Sequence, residues 1–153
     1  MKLPARTISP MSSANTERQS LWVVYDFEQD MFRHMLHVAT TDECRQFPQP
    51  IQNAIVESML LHLRILVNIL LSRGSGDDIN LTDLLPSFTS PRIDQLRNAY
   101  GNRNKDDSPC WHLNKRLAHP TRVRSSSYNY DHVLNALLPS LVPLLNEIAQ
   151  ARS

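Results

Sequence analysis

The segment Trp111-His-Leu-Asn-Lys-Arg-Leu-Ala-His-Pro-Thr-Arg122 gathers side chains that could do chemistry. On a helix, His112, Arg116 and His119 fall at i, i+4 and i+7 and share one face. Two imidazoles beside a guanidinium can grip a phosphate or, with a further group, move a proton near neutral pH. The same residues also suit an ordinary helix C-terminus, where Lys115, Arg116 and His119 would meet the negative end of the dipole.

His62 is the second candidate, a titratable group in the middle of an apolar seam. One hydrogen bond would satisfy it in a core. The sharper expectation pairs it across the fold with Asn114 or His119 in a buried polar cluster. Glu57 and Arg64 lie two turns apart on the same segment and are expected to pair with neighbouring helices. His62, Arg64, Glu57 and His112 are therefore the candidate binding residues.

Other chemistries lack their motifs. His34 and His37 are spaced i, i+3, but no H-E-x-x-H and no Cys-His pair at ligand spacing exists, so no metal or other cofactor is expected. G-x-S-x-G and P-loop patterns are absent, and Gly74-Ser-Gly76 leads into Asp77-Asp78 rather than a lysine-bearing helix. With three glycines in 153 residues, regular hairpin turns are not available either.

The elements that must position these residues read as helices. Val24, Phe27, Met31, Met35 and Val38 recur at three and four, which predicts a helix over 20–40 with that stripe inward. A proline-marked connection follows. From Pro50 to Arg73 the seam Ile51, Ile55, Met59, His62, Leu66 and Ile69 is widened by Leu60, Leu63, Val67 and Leu70. Only Glu57, Arg64 and Asn68, with Leu61 among them, form a narrow outer stripe. A helix so nearly apolar all round should sit centrally, and Gly74 is its expected stop.

A short turn is expected at Leu81–Leu85. Ser90-Pro91 opens a helix to about Asn102, and another runs from Ser108 to Ala118. The last helix, 130–149, carries Tyr130, Leu134, Leu137, Leu141, Leu144 and Ile148, with a kink or break expected at Pro139 and Pro143. The prediction is an all-α, up-and-down bundle of four to five helices in one domain over 19–153. Residues 1–18 are read as a flexible leader.

The net charge of +1 predicts no strong global pull toward nucleic acid or membrane. Locally, residues 92–124 hold eight Arg and Lys against three Asp, an excess of five. Cys44 and Cys110 form no C-x-x-C pair and suit free thiols in a reducing cytoplasm. The run Met59–Leu71, broken by His62, Arg64 and Asn68, reads as too short and polar to cross a bilayer.

Glu57-Ser-Met-Leu-Leu-His-Leu-Arg64, the acidic Asp77-Asp78 loop, Leu113-Asn-Lys-Arg-Leu-Ala-His-Pro-Thr-Arg122 and the Leu-rich last helix together resemble uncharacterised bacterial helical-bundle proteins allied to the HEPN superfamily. The resemblance covers roughly residues 20–150. It implies a bundle, often a homodimer, and in the active ribonucleases of that superfamily an Arg, a polar residue and a following His that cut RNA across the dimer. Asn114 and His119 match the polar residue and the His; position 113 is Leu113 where the family has Arg, and Arg116 lies only three residues before His119. Two functions follow. One is a binding module that meets a partner protein or its own copy. The other is a metal-independent endoribonuclease, a toxin or defence component, in which His119 and Asn114 act with Arg116 or Arg122.

Overall fold

The computed structural model describes residues 11–72, 76–105, 107–117 and 130–153. Every regular element among them is helical, so the fold is all-α. In chain order they are α1 (Met11–Thr40), α2 (Asp42–Arg45), α3 (Gln49–Leu71), α4 (Leu81–Leu84), α5 (Pro91–Tyr100), α6 (Pro109–His112) and α7 (Asp131–Arg152). A π-helical turn, Leu113–Leu117, continues α6.

Helix α1 is described from Met11, so residues 11–18 of the expected leader are helical. Residues 14–20 are all exposed, so tertiary packing does not hold them. No Gly or Pro lies between Met11 and Thr40, and a helix already nucleated by packing extends cheaply through Ala, Glu, Arg and Gln. The inward stripe also differs from the expected one. Trp22, Tyr25, Glu28 and Phe32 are buried, followed by half-buried Met35, Leu36 and Ala39. Val24 and Phe27 point outward, 41 % and 55 % exposed.

Helix α3 packs along α1 and also meets α4, α5 and the π turn. From Met59 onward it is enclosed: Leu60, Leu63, Leu66 and Val67 are fully buried. Glu57, Leu61 and Asn68 form the exposed stripe with half-buried Arg64 between them, as the sequence predicts. The first turns are less covered than expected, since Ile51 is exposed and Ile55 only half-buried. Helix α3 ends at Leu71 with Ser72 in an extended conformation; the predicted stop at Gly74 lies outside the described residues.

The short connections carry their own caps. Asn80 and Asp83 form a reciprocal capping box at α4. Ser90 Oγ accepts from the Arg92 N–H at the start of α5. Helix α5 ends at Gly101, whose φ of +69° is a left-handed conformation suited to glycine.

Helix α7 packs on α5 and α6, burying Val133, Leu134, Leu137, Leu141, Leu144, Leu145 and Ile148. It runs through Pro139 and Pro143 as one helix, so of the expected kink or break the break does not occur. Asn135 and Pro139 are exposed and Pro143 half-buried, so the carbonyls deprived of donors lie toward water on the outer face. The buried inner row then holds the helix together.

Two polar ties lock α7 in place. Ser90 Oγ donates to Glu147 at 2.5 Å and Arg92 Nε donates to the same carboxylate at 2.7 Å. Arg152 donates to both carboxylate oxygens of Asp26 at 2.7 and 2.9 Å and lies 4.2 Å over the Trp22 ring. As whole helices, α3 and α7 are long and apolar enough to cross a membrane, with mean hydropathies of 1.8 and 1.2 over an 18-residue stretch. A buried core helix meets the same criterion.

Candidate functional site

The burial of α1 against α3 brings Glu28 to His62. Nδ1 of His62 and Oε2 of Glu28 share a hydrogen bond of 2.6 Å, and both side chains are 11 % exposed. The Phe27 ring stands edge-on to the imidazole at 5.8 Å and covers its outer side. The expected partner of His62 is Asn114 or His119; the structure places Glu28 on its Nδ1 and Asn114 on Cys110, while His119 lies outside the described residues. The cause is the register of α1, which turns Glu28 inward where the sequence reading placed Phe27.

Asn114 is committed elsewhere. Its Nδ2 donates to the Cys110 carbonyl at 2.8 Å and approaches the Cys110 sulfur at 3.5 Å. Tyr100 of α5 packs at the same spot. Burial pushes its phenol well above the ordinary range and the Cys110 thiol pushes it further, while Arg64 and Asn114 pull the other way. Arg64, Tyr100, Cys110 and Asn114 thus meet where α3, α5, α6 and the π turn converge.

His112 is 2 % exposed. Its ring sits between Trp111 and His132, edge-on to each at 4.8 and 4.9 Å, and Nε2 lies 3.3 Å from Asp107 Oδ1. A ring so enclosed is not presented to a ligand. The backbone leaves α geometry at Leu113, so the 3.6-residue period used to align His112 with Arg116 and His119 does not carry past that point. Arg116 belongs to the π turn. His119 and Arg122 lie outside the described residues. Glu57 is exposed on α3, more than one turn before His62.

The positive stretch is partly neutralised within the fold. Arg92 is bound to Glu147, and Arg97 is hydrogen-bonded to Asp94 one turn earlier on α5. Among the described residues no group of three or more His, Cys, Asp or Glu could hold a metal ion.

What remains open is a cleft of about 660 Å³ between α1, the C-terminal end of α3 and the segment that follows. Val24, Ile65, Ile69 and Ile79 give it an apolar floor, and Asn68, Asp77 and Asp78 a polar rim. The chain matches no protein-family model, no curated protein and no solved structure. The cleft and its surroundings therefore stand on their own chemistry. One turn from Val24 lies exposed Phe27, and one turn from Ile65 lies exposed Leu61, so the apolar surface continues past the cleft along both helices. The sequence reading missed this face. Its signal lies in Val24 and Phe27, expected on the inward stripe of α1, and in Leu61, expected among the outer stripe of α3.

Proposed function

We propose that this chain is a HEPN-like up-and-down helical bundle that acts as a non-catalytic binding module, meeting a partner protein across the α1–α3 face. The observation that carries the reading is the exposed row Val23, Val24, Phe27 and Leu61 adjoining the apolar cleft. Contiguous exposed apolar surface of this kind marks interaction sites in soluble proteins. The described polar candidates support it from the other side. His62 is held by Glu28, Asn114 by Cys110, and His112 is enclosed. We place the protein in the cytoplasm, where the free, buried Cys44 and Cys110 stay reduced.

A second reading, metal-independent RNA cleavage by Asn114 and His119 with Arg116 or Arg122, draws on one observation. Asn114 stands in a π-helical turn, a distortion often found at functional sites. The test is to incubate the full chain and a His119→Ala variant with total RNA and a chelator. Partner binding predicts no cleavage by either protein. Cleavage by the parent that the variant loses establishes the nuclease instead. The homodimer implied by the resemblance is checked by light scattering at high micromolar concentration, where a monomer removes it.

A further inference from the structure

The chemistry of the cleft narrows the class of partner it fits, an inference that rests on the partner-binding reading above. Its apolar floor is formed by Val24 of α1, Ile65 and Ile69 of α3, and Ile79. Beyond the floor the surface runs on over Phe27 and Leu61. Since Glu28 faces His62, the residues next to that pair carry the exposed apolar surface on: Phe27 lies one turn from Val24 on α1 and Leu61 one turn from Ile65 on α3. A groove between two parallel rods with apolar walls is the shape that receives a third helix.

The charges around it are of one sign. Asp77 and Asp78 stand exposed on the rim, and neither has an ion-pair partner among the described residues. The C-terminal end of α3 reaches the same rim and brings the negative end of its dipole. On α1, Asp26 is tied to Arg152 and Glu28 faces His62, so of the acids between residues 19 and 32 Asp30 is the one with no ion pair among the described residues. Asp30 is exposed one turn past Phe27. Arg64 is the one Lys or Arg of α3, and its charge acts on Tyr100 of α5. Arg73 follows Ser72 in sequence, so residues 72–78 carry two acids and one base.

We infer that the α1–α3 groove takes an amphipathic helical segment of a partner protein whose apolar residues recur at i, i+3/i+4 and i+7 and which carries Lys or Arg beside that apolar row. The apolar row lies over Val24, Phe27, Leu61 and Ile65. The basic residues meet Asp77 and Asp78. Apolar contact provides the hold, and the opposite charges fix register and speed encounter.

The experiment is a selection of 15-residue peptides from a helical display library on the full chain, followed by fluorescence anisotropy with the synthesised winners. Expected are winners that combine the apolar spacing with Lys or Arg. Their affinity should fall about tenfold or more in Asp77→Lys/Asp78→Lys, and with rising salt, because the rim charges are solvent-exposed. Val24→Asp should abolish binding while circular dichroism and melting temperature stay unchanged.

Winners without basic residues, or binding indifferent to both variants, overturn the inference, as does a failure to select any peptide. A synthetic peptide of residues 118–129 that binds the cleft in trans assigns it to the chain's own Arg122–Arg124 segment and overturns it too. So does self-association that Phe27→Asp abolishes, which gives the face to a second copy. Purely apolar winners that still need Val24 leave partner binding intact, whereas RNA cleavage lost in His119→Ala removes that reading itself.

Discussion

The Glu28 carboxylate and the His62 imidazole face each other at 2.6 Å across the α1–α3 contact, each 11 % exposed and sheltered by the edge of Phe27. Two polar groups so placed depend on each other, because either one left alone would be buried without a partner. Glu28→Ala should therefore cost about 2–4 kcal/mol of unfolding free energy, and His62→Ala a similar amount. The double change Glu28→Leu/His62→Leu should recover most of the loss, since an apolar pair removes both desolvation costs. Urea unfolding of Glu28→Leu, His62→Leu and the Glu28→Leu/His62→Leu double variant completes the cycle. Additive losses would show that the pair does not act as a unit.

The same pair explains which parts of the fold were legible beforehand. The outer stripe of α3, Glu57, Leu61, Arg64 and Asn68, was readable because the rest of the helix is apolar and leaves no competing face. Helix α1 offered two seams. Trp22, Tyr25, Phe32 and Leu36 form the inward one, but Glu28 interrupts it. Val24, Phe27 and Met31 form an uninterrupted one that faces out or sits at the edge. Hydrophobic period alone prefers the second. Only knowing that His62 needs an acceptor would have chosen the first. The π turn was illegible for a different reason, since Leu113–Leu117 carries no residue that signals an i+5 bond.

Tyr25 is 2 % exposed, and its hydroxyl has no hydrogen-bond partner among the described residues. A buried hydroxyl without a partner costs free energy, so Tyr25→Phe should leave stability unchanged or raise it by about 1 kcal/mol. Burial, and then Asp26, push this phenol well above its ordinary range. A raised acidic pKa means the folded state keeps its proton when the unfolded chain gives it up. The stability contribution is full below the ordinary tyrosine pKa of about 10 and is lost as pH rises through the folded value. Each such tyrosine adds a slope of up to about 1.4 kcal/mol per pH unit in that window. Urea titrations at pH 8 and 11 should show a smaller alkaline loss in Tyr25→Phe than in the parent, with Tyr100 accounting for part of what remains. Equal losses would contradict the burial of Tyr25.

Glu147 behaves in the opposite sense. The Ser90 hydroxyl first, and then Arg92, hold its carboxyl below the usual range. The contribution is present above the unfolded value and disappears as pH falls through the folded one, so the window lies below about 4.3. Glu147→Gln should flatten the acid limb of a stability-against-pH curve while changing the neutral region less than Leu144→Ala, which empties a fully buried site. Ser90→Ala should shift the acid limb in the same direction, because it removes the largest single cause of the lowered pKa. An acid limb unmoved by either variant would place the stabilisation elsewhere.

Gly101 fixes how α5 hands the chain to α6. Its φ is +69°, and a Cβ added there would come within 2.8 Å of the Ser108 Cβ. Ser108 cannot easily give way, because its Oγ donates to the Asn102 carbonyl at 2.7 Å and accepts from the Trp111 N–H at 3.0 Å. Those two bonds set the start of α6 and hence the direction in which Cys110, His112 and Asn114 point. Gly101→Ala therefore meets both backbone strain and a clash, and should cost about 1–3 kcal/mol. Ser108→Gly would relieve the clash but forfeit the cap, so in the Gly101→Ala background it should restore little. Thermal melts separate these effects. A Gly101→Ala protein as stable as the parent would mean that the 101–108 loop shifts freely, and the enclosure of His112 would then have to come from α7 alone.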